Sequence, residues 1–254
     1  MKIQRHRDAT ADQWTITTST QKVFLIAFRP IKSPGDNSDK TGYHLWPSAI
    51  QLTTYMLKHY QKYLQVDSSV WEMGAGWTAL PLRTLASCVD IHCTWTISDG
   101  HAAVVDALAL ATSVTPFLYP TKKPIRVLLT KRWKINDDCH SKNLILASDC
   151  LYPGVDLVAF FTAIFEQLHM DGCVLLTFVH RQSFPRFRKS VLDVAATFEF
   201  HIVLCHKTNV PTIDIWELKR KGKVVFHISP VLANLLVNEK EDDEIDVSDW
   251  WDDL

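Results

Sequence analysis

The sequence predicts an α/β protein with a mostly parallel sheet, helices on both faces and an antiparallel strand at the C-terminal edge. Short apolar strands alternate with helices between residues 70 and 198, a pattern typical of parallel sheets. A glycine turn, Glu72-Met73-Gly74-Ala75-Gly76, separates the first of these strands from a helix. Two strands follow each other at the end of the alternation without an intervening helix, which favours an antiparallel edge.

The region before the alternation predicts a small β-rich extension and one helix. Trp14–Thr18 and Val23–Phe28 are rich in β-branched and aromatic residues, which favours two strands, whereas residues 1–13 are expected to be disordered. The polar loop Ser33–Lys40 ends this extension. A helix is expected with Pro47 in its first turn and an end before Asp67, because proline fits a first turn and apolar residues then recur at helical spacing.

Apolar β-branched runs that end at polar residues or glycine define the strands of the main sheet, and apolar residues at helical spacing define its helices. The predicted strands are Val70–Met73, Ile91–Ile97, Ile125–Leu129, Asn143–Ala147, Gly172–Val179, Phe200–Cys205 and a last strand at Ile213–Leu218, Val224–Ile228 or both. The predicted helices are Thr78–Ser87, Ala102–Ala111, Asp156–His169 and Phe184–Phe198. The sheet therefore has seven strands.

Composition divides the chain into three parts. Residues 1–41 form the extension with short β-strands, residues 42–232 one α/β domain, and residues 233–254 an acidic, disordered tail. The net charge is −1, but the segment 239–254 carries −8, which leaves +7 on the rest of the chain. A mildly basic body of this kind favours an acidic partner.

Composition also argues against several kinds of site. The six cysteines include no CxxC pair and the histidines form no ligand set, so we expect reduced thiols and no metal. The first residues are polar, and no apolar run approaches the length of a membrane helix. We therefore expect a cytoplasmic protein, also present in the nucleus, that is monomeric and does not bind a membrane.

Polar residues follow the predicted strands, at the edge where open parallel sheets bind ligands. Gly74 and Gly76 would let a ligand approach backbone N–H groups at a helix N-terminus, although an ordinary strand-to-helix turn has the same pattern. Asp99 comes twenty-three residues after Gly76, a position suited to both hydroxyls of a ribose. Trp133 is expected either to pack on an adenine ring or to cover the edge of the sheet.

These features predict an adenosine-containing cofactor, for which two classes remain open. A nicotinamide dinucleotide would place its pyrophosphate on the glycine turn. S-adenosylmethionine would place a sulfonium and an amino group there instead. Glu72 suits the cationic cofactor better, because a carboxylate repels phosphates and attracts a positive charge.

Four motifs occur in one order along the chain: Gly42-Tyr43-His44-Leu45-Trp46-Pro47-Ser48, Glu72-Met73-Gly74-Ala75-Gly76, Ser98-Asp99-Gly100 and Ser148-Asp149-Cys150-Leu151-Tyr152. Together they resemble the seven-β-strand protein-lysine methyltransferases that act on non-histone substrates, over about residues 42–180. Within that family, the resemblance is greatest to calmodulin-lysine N-methyltransferases. It implies a Rossmann-like methyltransferase sheet over residues 42–232 and S-adenosylmethionine as the cofactor.

The resemblance implies a role for each matching residue. Trp46 would close over the cofactor, Gly74 and Gly76 would lie under its methionine part, and the Ser148 backbone would line the pocket. The complete predicted cofactor site consists of Trp46, Glu72, Gly74, Ala75, Gly76, Asp99, Trp133 and Ser148. Asp149 and Tyr152 match the motif that holds the target lysine, so they are the predicted catalytic residues. The expected partner is a protein substrate, either calmodulin or another acidic protein.

Two alternatives compete with this interpretation. Asp149 could simply cap the helix predicted at Asp156–His169, and the chain could be a non-catalytic interaction protein with Trp250-Trp251 as a docking motif. Methylation of nucleic acid is not expected, because no Asn-Pro-Pro-Tyr-like motif follows the fourth strand of the sheet.

Overall fold

A computed structural model of the chain describes residues 2–7, 11–17, 22–28, 44–118, 124–130, 133–135, 138–180, 185–209 and 212–221. The predictions for Val224–Ile228, the tail at 233–254 and the Trp250-Trp251 pair lie outside these residues, as does most of the loop between residues 29 and 43. Within the described ranges, every helix is too short or too polar to cross a lipid bilayer.

The first described residues form a separate three-stranded antiparallel sheet. It consists of β1 (Lys2–Arg7), β2 (Ala11–Thr17) and β3 (Lys22–Phe28), in that order. The prediction of disorder over residues 1–13 is therefore wrong for β1 and for the start of β2. The several charged residues between positions 2 and 7 hid this strand in the sequence, and among the described residues β1 forms the edge of the sheet and pairs with β2.

The main domain alternates strands and helices as the sequence predicts. Its helices are α1 (Pro47–Tyr63), α2 (Leu80–Cys88), α3 (Ala102–Leu118), α4 (Leu157–Gln167) and α5 (Pro185–Thr197). Its strands are β4 (Ser68–Met73), β5 (Cys93–Asp99), β6 (Ile125–Leu129), β7 (Lys142–Ser148), β8 (Leu168–Val179), β9 (Phe200–Asn209) and β10 (Thr212–Arg220). Helix α3 extends well beyond the predicted Ala111, and β8 begins four residues before Gly172.

These seven strands form one sheet in the order β6-β5-β4-β7-β8-β10-β9. The four pairs that β4 to β8 form among themselves are all parallel, which confirms the predicted fold class. The chain moves outward from β4 in one direction through β5 and β6, and β7 then starts in the other direction. The carboxyl ends of β4 and β7 therefore meet where the strand order reverses, the usual ligand position in such sheets.

The sequence analysis expected the antiparallel strand at the edge of the sheet, but this strand lies one position inside the edge. Strand β10 pairs antiparallel with both β8 and β9, so it is inserted between them and β9 forms the edge. Only two residues connect β9 with β10, a length that suits an antiparallel hairpin. The inserted strand can bury both of its sides, and residues 213–218 are all buried.

The sheet separates two apolar cores. Leu52 and Met56 of α1 pack on one face together with Val70 of β4, and all three are fully buried. Trp71, the next residue of β4, points to the opposite face and packs with Phe160 of α4. This alternation is the period of a strand that is covered on both faces.

Gly172 lies where β8 passes close to the backbone of β7. A Cβ atom at this position would lie 2.8 Å from the carbonyl oxygen of Lys142 and 3.0 Å from that of Asn143. The pairing of β7 with β8 also shifts register between Lys142 and Leu144. Any side chain at Gly172 would therefore push these two strands apart.

We expect Gly172→Ala to lower the free energy of unfolding by about 1–3 kcal/mol, the usual cost of overpacking against atoms that cannot move away. Urea unfolding of the purified variant measures this change. Gly100→Ala is the matched control, because its Cβ would lie 3.8 Å from the nearest atom, the carbonyl oxygen of Thr130. Equal stability of the two variants would contradict the packing assigned to Gly172.

Candidate functional site

The glycine turn after β4 has the backbone that its sequence predicts. Gly74 and Gly76 have φ angles of +54° and +58°, in the left-handed region that glycine adopts without strain. The Ala75 N–H donates to the Ser98 carbonyl oxygen at 3.1 Å, which ties the turn to the end of β5. This hydrogen bond fixes the position of the turn at the carboxyl edge of the sheet.

Gly74 is also required because its neighbours leave no room for a side chain. A Cβ there would lie 2.8 Å from Cys150 Sγ and 3.0 Å from Cζ3 of Trp133. Cys150 follows β7, and its thiol lies 3.2 Å from the Met73 carbonyl oxygen, to which it donates. Burial raises the pKa of this thiol well above its ordinary value, and the nearby carboxylates raise it further, so the donor proton is retained.

Glu72 lies beneath the turn and is completely buried. Its Oε2 accepts a hydrogen bond from the Leu82 N–H at 2.9 Å, in the first turn of α2, whereas Oε1 has no hydrogen-bond partner among the described residues. Burial raises the pKa of Glu72 to about 8, although the Leu82 N–H and the Arg83 charge lower it. At neutral pH the group is therefore mainly a neutral acid.

Arg83 is the buried cation that accompanies Glu72. Its guanidinium donates to the Thr78 carbonyl oxygen at 3.2 Å and to the Ile26 carbonyl oxygen of β3 at 2.6 Å. Burial lowers the pKa of Arg83 to about 10, while Glu72 raises it. Arg83 thus connects the N-terminal sheet with the segment that follows the glycine turn. A single arginine inside the apolar segment 79–86 was the sequence signal for this contact, and the sequence analysis did not use it.

Asp99 ends β5 beside the turn, and its side chain is almost fully buried. Oδ2 accepts from the Gly76 N–H at 3.0 Å and Oδ1 from the His101 N–H at 2.9 Å. Burial raises the pKa of Asp99, and these backbone donors offset only part of that rise. Because an ionised carboxylate has about four lone-pair positions, acceptor capacity remains for a ligand hydroxyl.

Trp133 packs on the glycine turn itself. Its ring contacts Gly74 and meets the Phe160 ring edge to face, with centroids 5.2 Å apart. The structure therefore places the half-buried indole between the turn and α4. Contact with an adenine ring remains a prediction for this residue.

The segment after β7 carries the predicted catalytic residues. Asp149 has a φ of +53°, an unusual conformation for a residue other than glycine that aspartate tolerates better than most, and such strain concentrates at functional sites. Its N–H donates to the Thr177 hydroxyl at 3.1 Å. Ser148, the last residue of β7, is nearly buried and pairs with Thr177 in the sheet.

Tyr152 lies in the turn that leads to α4. Its carbonyl oxygen accepts from the Val155 N–H at 3.1 Å, and its side chain is partly exposed. Asp156 then caps α4 by accepting from the Ala159 N–H at 2.9 Å. The alternative in which Asp149 caps this helix is therefore wrong, because Asp156 occupies that position.

Trp46 precedes the first residue of α1. It has extended backbone and contacts the His44 ring edge to face, with centroids 6.1 Å apart. The contact of Trp46 with a cofactor stays a prediction.

The structure thus brings the predicted glycine turn, Asp99, Trp133, Ser148 and Asp149 to one edge of the sheet. Sequence reasoning missed Cys150, the residue that joins the two strand ends, although it stands inside a motif that the analysis had noticed. It also missed the carbonyl of Ser98. Among the described residues, no three histidine, cysteine, aspartate or glutamate side chains are grouped closely enough to hold a metal ion.

Comparisons with known proteins agree with this geometry. A family model described as lysine methyltransferase matches residues 30–190. A SAM-dependent methyltransferase from Aquifex aeolicus has a TM-score of 0.53 and 12% identity, over 68% of this chain and 93% of that chain. A TehB-like SAM-dependent methyltransferase from Corynebacterium glutamicum has a TM-score of 0.50 and 12% identity, over 71% and 90%. The glycopeptide N-methyltransferase MtfA has a TM-score of 0.52 and 10% identity, over 67% and 90%.

At such identities, the likeness to solved structures shows the fold alone. No curated protein matches the sequence at a significant level. The match to the family model covers more than half of the chain and includes the glycine turn and the segment after β7.

The raised pKa of Glu72 predicts how stability depends on pH. The pKa of about 8 in the folded state lies above the value in the unfolded chain, so the stabilising effect is complete below about pH 4 and is lost as the pH rises towards 8. We expect the free energy of unfolding to fall by a few kcal/mol over this range, because each pKa unit is worth about 1.4 kcal/mol. Glu72→Gln keeps an acceptor for Leu82 and should lose most of this slope.

Urea unfolding at a series of pH values measures the effect. The control is Glu166→Gln, which changes a partly exposed glutamate paired with Lys134 at 3.7 Å and should keep the wild-type slope. The same slope in Glu72→Gln and in the wild type would contradict the assigned protonation.

Proposed function

Because the chain belongs to the lysine methyltransferase family, we propose that it is a protein-lysine N-methyltransferase and that calmodulin is its substrate. The family and the fold make it an S-adenosylmethionine-dependent methyltransferase. The lysine acceptor on a protein and the choice of calmodulin are the proposed part.

The residues at the sheet edge fit S-adenosylmethionine. The left-handed glycine turn lies beside Asp99 at the carboxyl edge of the sheet, and buried Asp99 keeps acceptor capacity for the ribose hydroxyls. Gly74, Ala75 and Gly76 would hold the cofactor from below, with Trp46, Trp133 and Ser148 around it. When bound, S-adenosylmethionine supplies an electrophilic methyl group on a positively charged sulfur. Glu72 lies under the turn as a mainly neutral acid, so it supports the site by holding α2.

One observation carries the proposal: the segment with Asp149 and Tyr152 lies directly against the cofactor turn. Cys150 touches Gly74 and donates to the Met73 carbonyl, so the ends of β7 and β4 are in contact. An acceptor group bound at Asp149 would therefore lie beside the cofactor. Positioning of this kind is the main contribution that a protein makes to a direct displacement.

Asp149 and Tyr152 would prepare the acceptor. A lysine side chain is mostly protonated at neutral pH, and the carboxylate of Asp149 would orient its ammonium by a charge-assisted hydrogen bond. Tyr152 would form an apolar wall with a polar tip that favours an amine over water. The left-handed backbone of Asp149, fixed by Thr177, sets the direction of the carboxylate.

The choice of an acidic protein substrate rests on charge. The chain outside the segment 239–254 carries +7, which would attract an acidic protein and speed its encounter. The acidic segment could compete with such a substrate for the same surface. A truncation to residues 1–238, assayed at several salt concentrations, would test this competition through KM.

Methyl transfer can be assayed with labelled S-adenosylmethionine and purified calmodulin, followed by mass mapping of the modified lysine. We expect Asp149→Asn to reduce transfer roughly a hundredfold, since asparagine tolerates the same backbone but carries no charge. Asp156→Asn is the matched control, because asparagine caps a helix equally well.

Three outcomes decide between the alternatives. Transfer to another protein in a lysate, but not to calmodulin, would overturn only the choice of substrate. Cofactor binding without transfer to any protein would favour a non-catalytic interaction protein that retains the fold. Full activity of Asp149→Asn would contradict the role of that residue.

The cofactor site is tested separately by Asp99→Asn. Loss of the charged acceptor should weaken S-adenosylmethionine binding by about tenfold to a hundredfold, because a hydrogen bond to a charged group is worth about 1.5–3 kcal/mol. Calorimetric titration measures the affinity, and Asp106→Asn, an exposed aspartate of α3, is the control. Unchanged affinity would count against the ribose contact.

A further inference from the structure

A histidine and a buried aspartate lie together at the carboxyl edge of the sheet, outside the residues described above. His180 directly follows β8, and its Nε2 lies 2.8 Å from Asp214 Oδ2 on β10. The Asp214 side chain is 1% exposed, whereas that of His180 is 21% exposed. The contact has the distance of an ion pair, although the ring N–H is not aligned for a hydrogen bond. Asp214 therefore supports the inner side of the ring, and the outer side remains accessible.

Other charged groups face this pair from two neighbouring elements. Arg188 of α5 lies 3.3 Å from the same Asp214 oxygen, and the charge of Lys207 on β9 also acts on Asp214. Burial alone would raise the pKa of Asp214, but the contacts with His180 and Arg188 and the charge of Lys207 lower it below its ordinary value. Asp214 is therefore an anion at neutral pH.

The position of His180 relative to Asp149 follows from strand pairing. Strand β8 lies next to β7, and Thr177 is level with Ser148. The Thr177 hydroxyl accepts from the Asp149 N–H. His180 is three residues beyond Thr177 along the chain, about 10 Å in the strand direction. Asp149 and His180 thus directly follow two adjacent parallel strands, β7 and β8.

The proposed reaction needs a group that accepts a proton from the target lysine. A lysine ammonium must lose a proton before its nitrogen can act as a nucleophile. Asp149 binds the ammonium in the proposed function, and that role leaves the group that accepts its proton unassigned. An imidazole titrates near neutral pH, where a general base is most effective.

We propose that His180, supported by Asp214, accepts the proton of the target lysine, an inference that rests on the proposed function. The proton leaves the ammonium nitrogen for the outer ring nitrogen, Nδ1, and the N–H bonding electrons become the lone pair of the neutral amine. The imidazolium that forms is stabilised by the Asp214 carboxylate. The ring then releases the proton to water and returns to its neutral form.

The same strand offers a matched control at its opposite end. His169 Nδ1 lies 3.9 Å from Asp171 Oδ2, and both side chains are exposed, at 46% and 95%. This pair has the same chemistry, but it lies at the amino edge of the sheet, away from the cofactor turn. His169→Gln should therefore leave transfer unchanged.

The test compares the pH dependence of kcat for the wild type, His180→Gln, Asp214→Asn and His169→Gln, with saturating S-adenosylmethionine and calmodulin, or the lysate protein that is methylated. For His180→Gln we expect a roughly tenfold to hundredfold loss near pH 7 that shrinks towards pH 10, where lysine loses its proton unaided. Asp214→Asn should also lower kcat near pH 7, because the imidazolium that forms on proton transfer loses its counter-charge.

One measurement does not depend on turnover. The affinity of His180→Gln for S-adenosylmethionine, measured by calorimetry, should stay within twofold of the wild type, which separates proton transfer from damage to the cofactor site.

A loss in His180→Gln that is equal at every pH would overturn the inference and leave the cluster as a structural link between β8, β10 and α5. An unchanged kcat in this variant would do the same. A wild-type protein that methylates no lysine would instead overturn the proposed function, and this inference with it.

Discussion

The structure depends on two ionisable groups that are buried together beneath the glycine turn. Glu72 on β4 binds the first turn of α2, and Arg83 on α2 binds the backbone that follows the turn and that of β3. Removing either side chain would leave its buried backbone partners unsatisfied, which typically costs about 1–3 kcal/mol. These hydrogen bonds link the N-terminal sheet, helix α2 and the segment around the glycine turn, although more than forty residues separate β3 from the turn in the sequence.

The sequence predicts the order and type of the elements well because each leaves a local pattern. Strands such as Ile125–Leu129 are apolar runs between polar residues, and the prediction for this one is confirmed to the residue. Pairing order leaves no such pattern. The insertion of β10 between β8 and β9 depends on contacts between distant residues, such as Trp216 with Leu176. Strand β1 was missed because its sequence is polar and charged, unlike the apolar runs of the main sheet.

The same distinction applies to the site. Asp99 and Asp149 could be found from the sequence because they directly follow strands whose carboxyl ends must share one edge. The contact of Cys150 with Gly74 and the contact of His180 with Asp214 join segments that are 76 and 34 residues apart. Contacts between segments so far apart leave no periodic pattern in the sequence. Tyrosine and tryptophan positions are harder still, since the place of Trp133 depends on the conformation of a whole connection.

The inserted strand has a consequence for how the protein is completed during synthesis. Within the described sheet, β9 pairs with β10 alone, so it cannot join the sheet before residues 212–220 have left the ribosome. The sheet therefore gains its last two strands together, as one hairpin. Asp214 lies on β10, so it reaches His180 only in that step.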